Sequence, residues 1–321
     1  MLCHHCCSAL PSSRLTLSDW AIEFSQLIST RTLKAKTLSG RLHQVAKLVD
    51  ILGGAQRQIS TIRPVDVATA IRSVFDSGKE HLALRLHIEA DDMFNEAIIA
   101  GHVGLNPVTH LKRPRPRVRR SRLTYEQLHQ IRRVCIRRGR SWLVDAIDIA
   151  LVTGLRIGDI VRLRVSHVVD GHLLVTQQKT GVRQAIPLDL RLDAARVTLR
   201  RIVERCASGK EGNDLLVSKR CGKAYHKNYL TSAFSSDRDS ALPRSTWGDG
   251  KMPATFHEIR SLSERMYRDQ GQDTKALLGH KRQSTTDLYN DNRDSGQTMF
   301  KVVPIPGRRK LIAHIKASIE A

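Results

Sequence analysis

Between Lys112 and Arg122 the chain carries seven cationic side chains, two prolines and no acid. No such stretch enters an apolar core, because unpaired charges lose too much hydration there. Pro114 and Pro116 lack the amide hydrogen that a helix or central strand needs. Like charges then hold the segment extended. It therefore divides the 321 residues into two folding units, which suits that length. The cations are Lys112, Arg113, Arg115, Arg117, Arg119, Arg120 and Arg122. The whole chain has a formal charge of +22, which predicts attraction to polyanions. A hinge lying along a phosphate backbone accounts for the cations better than a merely solvated one.

Ahead of this linker (residues 112–122) the apolar spacing is helical throughout. Thr16 or Ser18 can cap a helix carrying Leu17, Trp20, Phe24, Leu27 and Ile28. Leu38, Leu42, Val45, Leu48 and Val49 line a second helix, closed by Gly53-Gly54. Pro64 suits the first turn of a third, with Val67, Ile71, Val74 and Phe75. A fourth runs from Glu80 to Ala100 and stops at Gly101. Residues 14–111 thus read as a four-helix domain. Residues 1–13 read as a disordered leader. Cys3-His4-His5-Cys6-Cys7 holds metal-ligand residue types but no second ligand pair, so no metal is expected. Cys135, Cys206 and Cys221 are scattered, with no disulfide spacing.

A second domain is expected over 123–299. Thr124 and Gln127 have capping-box spacing, and helices follow to about Thr153. His172–Gln178 and Val182–Pro187 are strand-like runs around Lys179-Thr180-Gly181, a hairpin signal. Helical spacing returns over 189–205, 225–235, 256–269, 272–278 and 284–290. The tail, 300–321, opens on a β-like Phe300-Lys301-Val302-Val303. Aromatics are only 4% of the chain, so the cores rest on aliphatic side chains. The expected fold is mostly α with a small β-sheet, an α+β class. No run approaches the roughly 20 apolar residues of a membrane span, so a cytoplasmic, nucleoid-associated protein is expected.

The second domain also holds the residues able to carry chemistry. His257 and Arg260 lie three apart, on one face of a helix, where two donors can grip a phosphate. Arg156 follows Thr153-Gly154-Leu155 at a turn into a helix, and Lys179 sits at the hairpin tip. His280 follows Leu277-Leu278-Gly279, and Tyr289 comes nine residues later. Each has an ordinary explanation alone: a surface face, a cap, a solvated turn, a packing aromatic.

Their joint order closely resembles the tyrosine recombinase, or phage integrase, family, nearest to its lambda-type members. The match spans roughly residues 16–300, and Leu151–Asp159, Gln178–Pro187, Thr255–Ser263 and Leu277–Tyr289 carry it. The resemblance implies a core-binding domain and a catalytic domain closing on duplex DNA. It also implies that Tyr289 attacks a backbone phosphate to give a 3′-phosphotyrosyl link. Arg156 and Arg260 would hold the non-bridging oxygens, whose charge grows in the transition state. His257 and His280 would add hydrogen bonds or manage the tyrosine proton, and which one is the base stays open. Lys179 would protonate the leaving 5′-oxygen. The covalent link conserves the ester, so no cofactor, ATP or metal, is expected.

The implied partners are double-stranded DNA at attachment sites and a homotetramer. A DNA-bending host factor and an excision factor are also implied, to integrate and excise phage DNA. Phe300–Val303 would be a strand packing on a neighbouring subunit. One departure matters. Lambda-type members carry a further N-terminal arm-binding domain, whereas about 15 residues precede the first helix here. Either arm sites are dispensed with, or the chain is a truncated prophage copy. A DNA-binding remnant without catalysis and a type IB topoisomerase-like relaxing activity are the alternatives.

Overall fold

The computed structural model describes residues 15–279 together with Ser284 and Asp287. They form two compact units that divide between Val118 and Arg119. The leader 1–13 and the tail 300–321 lie outside the described residues.

The first unit consists of α1 (Leu17–Thr30), α2 (Ala35–Ile51), α3 (Pro64–Asp76) and α4 (Glu80–Ile99). Thr16, rather than Ser18, caps α1. Its hydroxyl accepts from Asp19 N at 3.1 Å, and Asp19 accepts from Thr16 N at 3.2 Å. Pro64 opens α3, where its missing amide hydrogen costs nothing. Leu17, Trp20, Phe24, Ile28, Leu48, Leu86 and Phe94 fill the core. The Trp20 indole donates to the Met93 carbonyl at 3.1 Å, so its one polar atom is satisfied on burial. Arg31 and Arg41 bridge Glu89, Asp92 and Glu96, tying α1 and α2 to α4.

The second unit is built around α6 (Ser141–Thr153), which is buried from Ala146 to Thr153. Beside it lie α5 (Tyr125–Arg137), α8 (Leu199–Ala207), α9 (Lys227–Ala241) and α10 (Glu258–Asp269). Thr124 and Gln127 form the capping box that starts α5. The short α7 (Ile157–Ile160) leads towards an antiparallel sheet. Its order is β1 (Val168–Val169), β2 (His172–Thr176) and β3 (Arg183–Pro187), with Val175 opposite Gln184. The short α11 (Thr274–Leu278) follows α10.

The mostly helical fold with a small sheet is borne out. One element differs. The spacing predicts a helix over 189–205, but the chain first makes a small hairpin of β4 (Arg191–Leu192) and β5 (Val197–Thr198). Arg196 turns it in the left-handed region at φ 50°, and α8 starts only at Leu199. A side chain distant in sequence holds this hairpin. Gln270 accepts from Asp193 N at 3.0 Å and donates to the Arg191 carbonyl at 3.1 Å. The helix expected over 225–235 also runs further, to Ala241. Among the described residues no helix is long and apolar enough to cross a membrane.

Candidate active site

Four chain segments meet at the C-terminal end of α6. Gly154 ends that helix with φ 63°. A β-carbon there would lie 2.6 Å from a Leu278 methyl, so both backbone and packing demand glycine. The reversal places Arg156 at the N-cap of α7, half-buried, with Nη1 donating to Gln177 Oε1.

Gln177 is a junction, only 1% exposed. It also accepts from Thr180 Oγ1 at 3.0 Å and donates to Gln184 Oε1 and to the Leu278 carbonyl, the latter at 3.0 Å. Gln184 donates to the Ala276 and Leu277 carbonyls at 2.9 and 3.0 Å. The base of the β2–β3 hairpin thus satisfies the last carbonyls of α11, which a helix leaves without internal partners. Lys179 is exposed in the turn beyond, which Gly181 N closes on the Gln177 carbonyl at 2.8 Å. Buried Asp159 fixes the start of that turn by accepting from Gln178 N at 2.8 Å.

Arg260 reaches the same place from α10. It is 1% exposed, and its guanidinium donates to the Gly154 and Leu278 carbonyls at 2.5 and 2.8 Å. His257 is the N-cap residue of α10 and keeps an exposed surface while Arg260 turns inward. Partial desolvation, then the fields of Arg260, Arg156, Arg120 and Lys179, push His257 down to about 4. All four cations therefore lie within electrostatic reach of His257. His257 is neutral at physiological pH, able to donate from one ring nitrogen and accept at the other.

This shift has a consequence for stability. With a folded pKa below the unfolded value of about 6.5, the unfolded chain takes up the proton first as pH falls. Stability should therefore drop between about pH 6.5 and 4, with no contribution from this group above that window. His257→Asn should flatten the fall, read as urea midpoints at either end of the window. An unchanged slope would assign the fall to another group.

Of the cations in the sequence-defined linker, Arg119, Arg120 and Arg122 belong to the second unit. The Arg119 carbonyl accepts from Met252 N at 2.6 Å, and Arg120 bridges Met252 in parallel fashion. Arg122 pairs with Glu258 at 3.1 Å and donates to Ser261 at 2.7 Å, bracing the first turns of α10. Lys112, Arg113, Arg115 and Arg117 belong to the first unit, where Arg117 N donates to Glu80 at 2.6 Å.

His280 and Tyr289 lie outside the described residues. Between them Ser284 and Asp287 are helical, and Asp287 lies 3.6 Å from Arg268, which also pairs with buried Glu264.

Sequence reasoning missed Gln177, Gln184 and Asp159. The signal for the two amides was present. Leu173, Val175 and Gln177 alternate onto the buried face, as do Gln184 and Ile186 opposite. An amide at an inward position of a period-two strand needs partners, and here they are α11 carbonyls.

Two arginines, a neutral histidine and a turn lysine, set on helix ends and a hairpin, form a cationic cluster of the kind that can grip a phosphate. The phage integrase family profile matches residues 121–295, more than half of the chain. The chain belongs to that family, the tyrosine-type site-specific recombinases. Prophage integrase IntE of Escherichia coli K12 is 38% identical over 292 residues, covering 88% of this chain and 77% of that protein. The integrase of Escherichia phage lambda is 33% identical over 282 residues, covering 87% and 77%. A crystal structure of a lambda integrase tetramer bound to a Holliday junction superposes with a TM-score of 0.82 at 29% identity. It covers 91% of this chain and 82% of that one. A lambda integrase dimer on a COC′ core site gives 0.81 at 29% identity, covering 90% and 81%.

Proposed function

We propose that the chain cuts and rejoins duplex DNA at attachment sites through a 3′-phosphotyrosyl intermediate on Tyr289, integrating and excising phage DNA. One observation carries this most. Arg260 and the Arg156–Gln177 pair converge on a single carbonyl, that of Leu278, two residues before His280 in sequence. Two guanidinium groups thereby flank one spot from fixed positions, which is what a phosphate gaining charge in its transition state requires.

The other tyrosines support Tyr289. Tyr267 is fully buried, donates to the Val152 carbonyl at 2.8 Å, and is pushed upward by burial and the field of Asp193. Tyr225 and Tyr229 stack on Trp142. Tyr125 sits at the first position of α5.

In the step itself the Tyr289 oxygen forms a bond to phosphorus while the bond to the 5′-oxygen breaks. The phenol gives its proton to one of the two histidines, His257 or His280, and nearby positive charge would ease that loss. Lys179 gives a proton to the departing 5′-oxygen. Rejoining reverses each transfer, with the free 5′-hydroxyl of the partner strand as nucleophile. A homotetramer would bring two duplexes together, with a bending host protein and an excision factor setting direction; the similar lambda integrase forms a tetramer bound to a Holliday junction.

A nicked suicide duplex containing the attachment site tests the proposal. Wild-type protein should form an SDS-resistant adduct, and Tyr289→Phe should form none. An adduct with the Phe variant would move the nucleophile elsewhere. Binding without any wild-type adduct would make the chain a DNA-binding protein only. Supercoil relaxation without exchange between two duplexes would make it a topoisomerase.

A further inference from the structure

Helices α5, α6 and α8 and the β4–β5 hairpin surround a pocket of about 290 Å³. Arg132 of α5, Arg196 of the hairpin, and Arg201 and Arg205 of α8 stand on its wall. Asp148 of α6 is the one acid beside them. Arg156, Lys179, His257 and Arg260 line no part of it.

Two of these four arginines are already balanced. Arg132 takes both Asp148 oxygens, through Nε and Nη2 at 2.8 and 3.0 Å. Arg205 reaches Asp148 at 2.7 Å and Asp145 at 2.9 Å. Two guanidinium groups thus face two carboxylates, and Nη1 of each takes no part in these bonds. Arg196 and Arg201 differ. Among the described residues neither makes an ion pair. On the wall of the pocket two positive charges therefore stay unbalanced.

The backbone around them deepens the imbalance. Arg196 is held at φ 50°, in the left-handed region that suits glycine and strains a residue with a β-carbon. The hairpin cannot relax freely, because Gln270 bonds it at Asp193 and at Arg191. A long cation kept in a glycine conformation points to a use for its side chain. Arg201 lies in the first turn of α8, which holds no acid. A cation there opposes the helix dipole, whose positive end favours an anion. One anion in the pocket would relieve both positions.

The pocket also limits what that anion is. Leu128, Ile147 and Leu151 form an apolar floor, none more than 5% exposed. Charges beside such a floor are screened less than in open water. Tyr125, half-buried on the same wall, offers a ring to a flat body. The volume lies near the lower end of small-ligand sites and is far above the ~30 Å³ share of one water. Two charges and a small body describe a phosphate monoester, which is close to dianionic at neutral pH. The phosphodiester of a DNA backbone carries only one charge.

We propose that this pocket binds a small phosphate monoester. Arg196 and Arg201 pair with the phosphate oxygens, and the remaining Nη1 groups of Arg132 and Arg205 are further donors. The site shares no residue with the cationic cluster and does not depend on Tyr289 being the nucleophile.

Titration calorimetry of the full chain with adenosine 5′-monophosphate, inorganic phosphate and adenosine tests this. Wild-type protein should bind the monoester most tightly, inorganic phosphate more weakly and adenosine not at all. Arg201→Ala should weaken the monoester at least tenfold. Arg196→Gly is the sharper variant. Glycine accepts the left-handed backbone, so the melting temperature should hold while affinity falls at least tenfold. Thermal melts separate weakened binding from failure to fold. If both variants fold and bind the monoester as the wild type does, the phosphate sits elsewhere and the inference is overturned. Adenosine binding as tightly as its monophosphate overturns it too, as does the absence of any binding at millimolar concentration. Equal affinity for the two anions would reduce the pocket to a site for free phosphate and overturn the monoester.

Discussion

Arg260→Ala is expected to abolish cleavage and to destabilise the second unit together. The guanidinium supplies the hydrogens for the Gly154 carbonyl and shares the Leu278 carbonyl with Gln177. Removing it leaves buried acceptors under-satisfied, at about 1–3 kcal/mol each. It also removes the donor proposed for the phosphate, where such a loss costs about 100- to 1,000-fold in rate or more. Arg260→Lys separates the two effects. A single ammonium keeps the charge but lacks the planar fork that spans two carbonyls. The lysine variant should recover part of the melting temperature and little of the suicide-adduct rate. Full recovery of the rate with lysine would show that charge alone suffices and that the fork geometry is incidental.

The second large effect is expected from Gly279→Ala. Gly279 adopts φ 62°, a left-handed conformation that strains any residue with a β-carbon. The added methyl would also lie 2.6 Å from Gln177 Nε2 and 3.0 Å from the Gln184 amide carbon. Both neighbours are held by hydrogen bonds to α11, so neither gives way cheaply. Backbone strain of about 1–2 kcal/mol adds to the repacking cost. Since the residue stands directly before His280, adduct formation should fall by at least tenfold. A global melting temperature that moves by only a few degrees would fit a local displacement. Gln177→Ala/Gly279→Ala offers a check: removing the clashing amide should restore none of the rate, because the Arg156 and Leu278 contacts go with it. Restoration would mean that the clash alone was at fault.

Much of this was legible in the sequence because it depended on local chemistry. The four helices of the first unit declared themselves through apolar spacing, and Thr124 with Gln127 marked the start of α5. Arg156, Lys179, His257 and Arg260 were legible as a set ordered along the chain, not as individual residues. What failed to show was set by distant partners. The β4–β5 hairpin occupies a stretch with helical spacing because Gln270, far along the chain, fixes it. β1 and α7 are too short for any periodicity to emerge. Arg122 reads as one more linker cation, yet Glu258 and Ser261 draw it onto α10. Gln177 looks like a strand end until the carbonyl of Leu278 is placed beside it.

That pair of glutamines has a mechanical meaning. Gln177 and Gln184 fasten the hairpin carrying Lys179 to the final turn of α11 by three bonds to backbone carbonyls. Lys179, the proposed proton donor, is therefore tied to α11 through two amides. A shift of α11 that keeps these bonds carries the hairpin of Lys179 with it. A shift that breaks them frees the hairpin from α11. Both amides are neutral, so this latch carries no charge for salt to screen or pH to titrate.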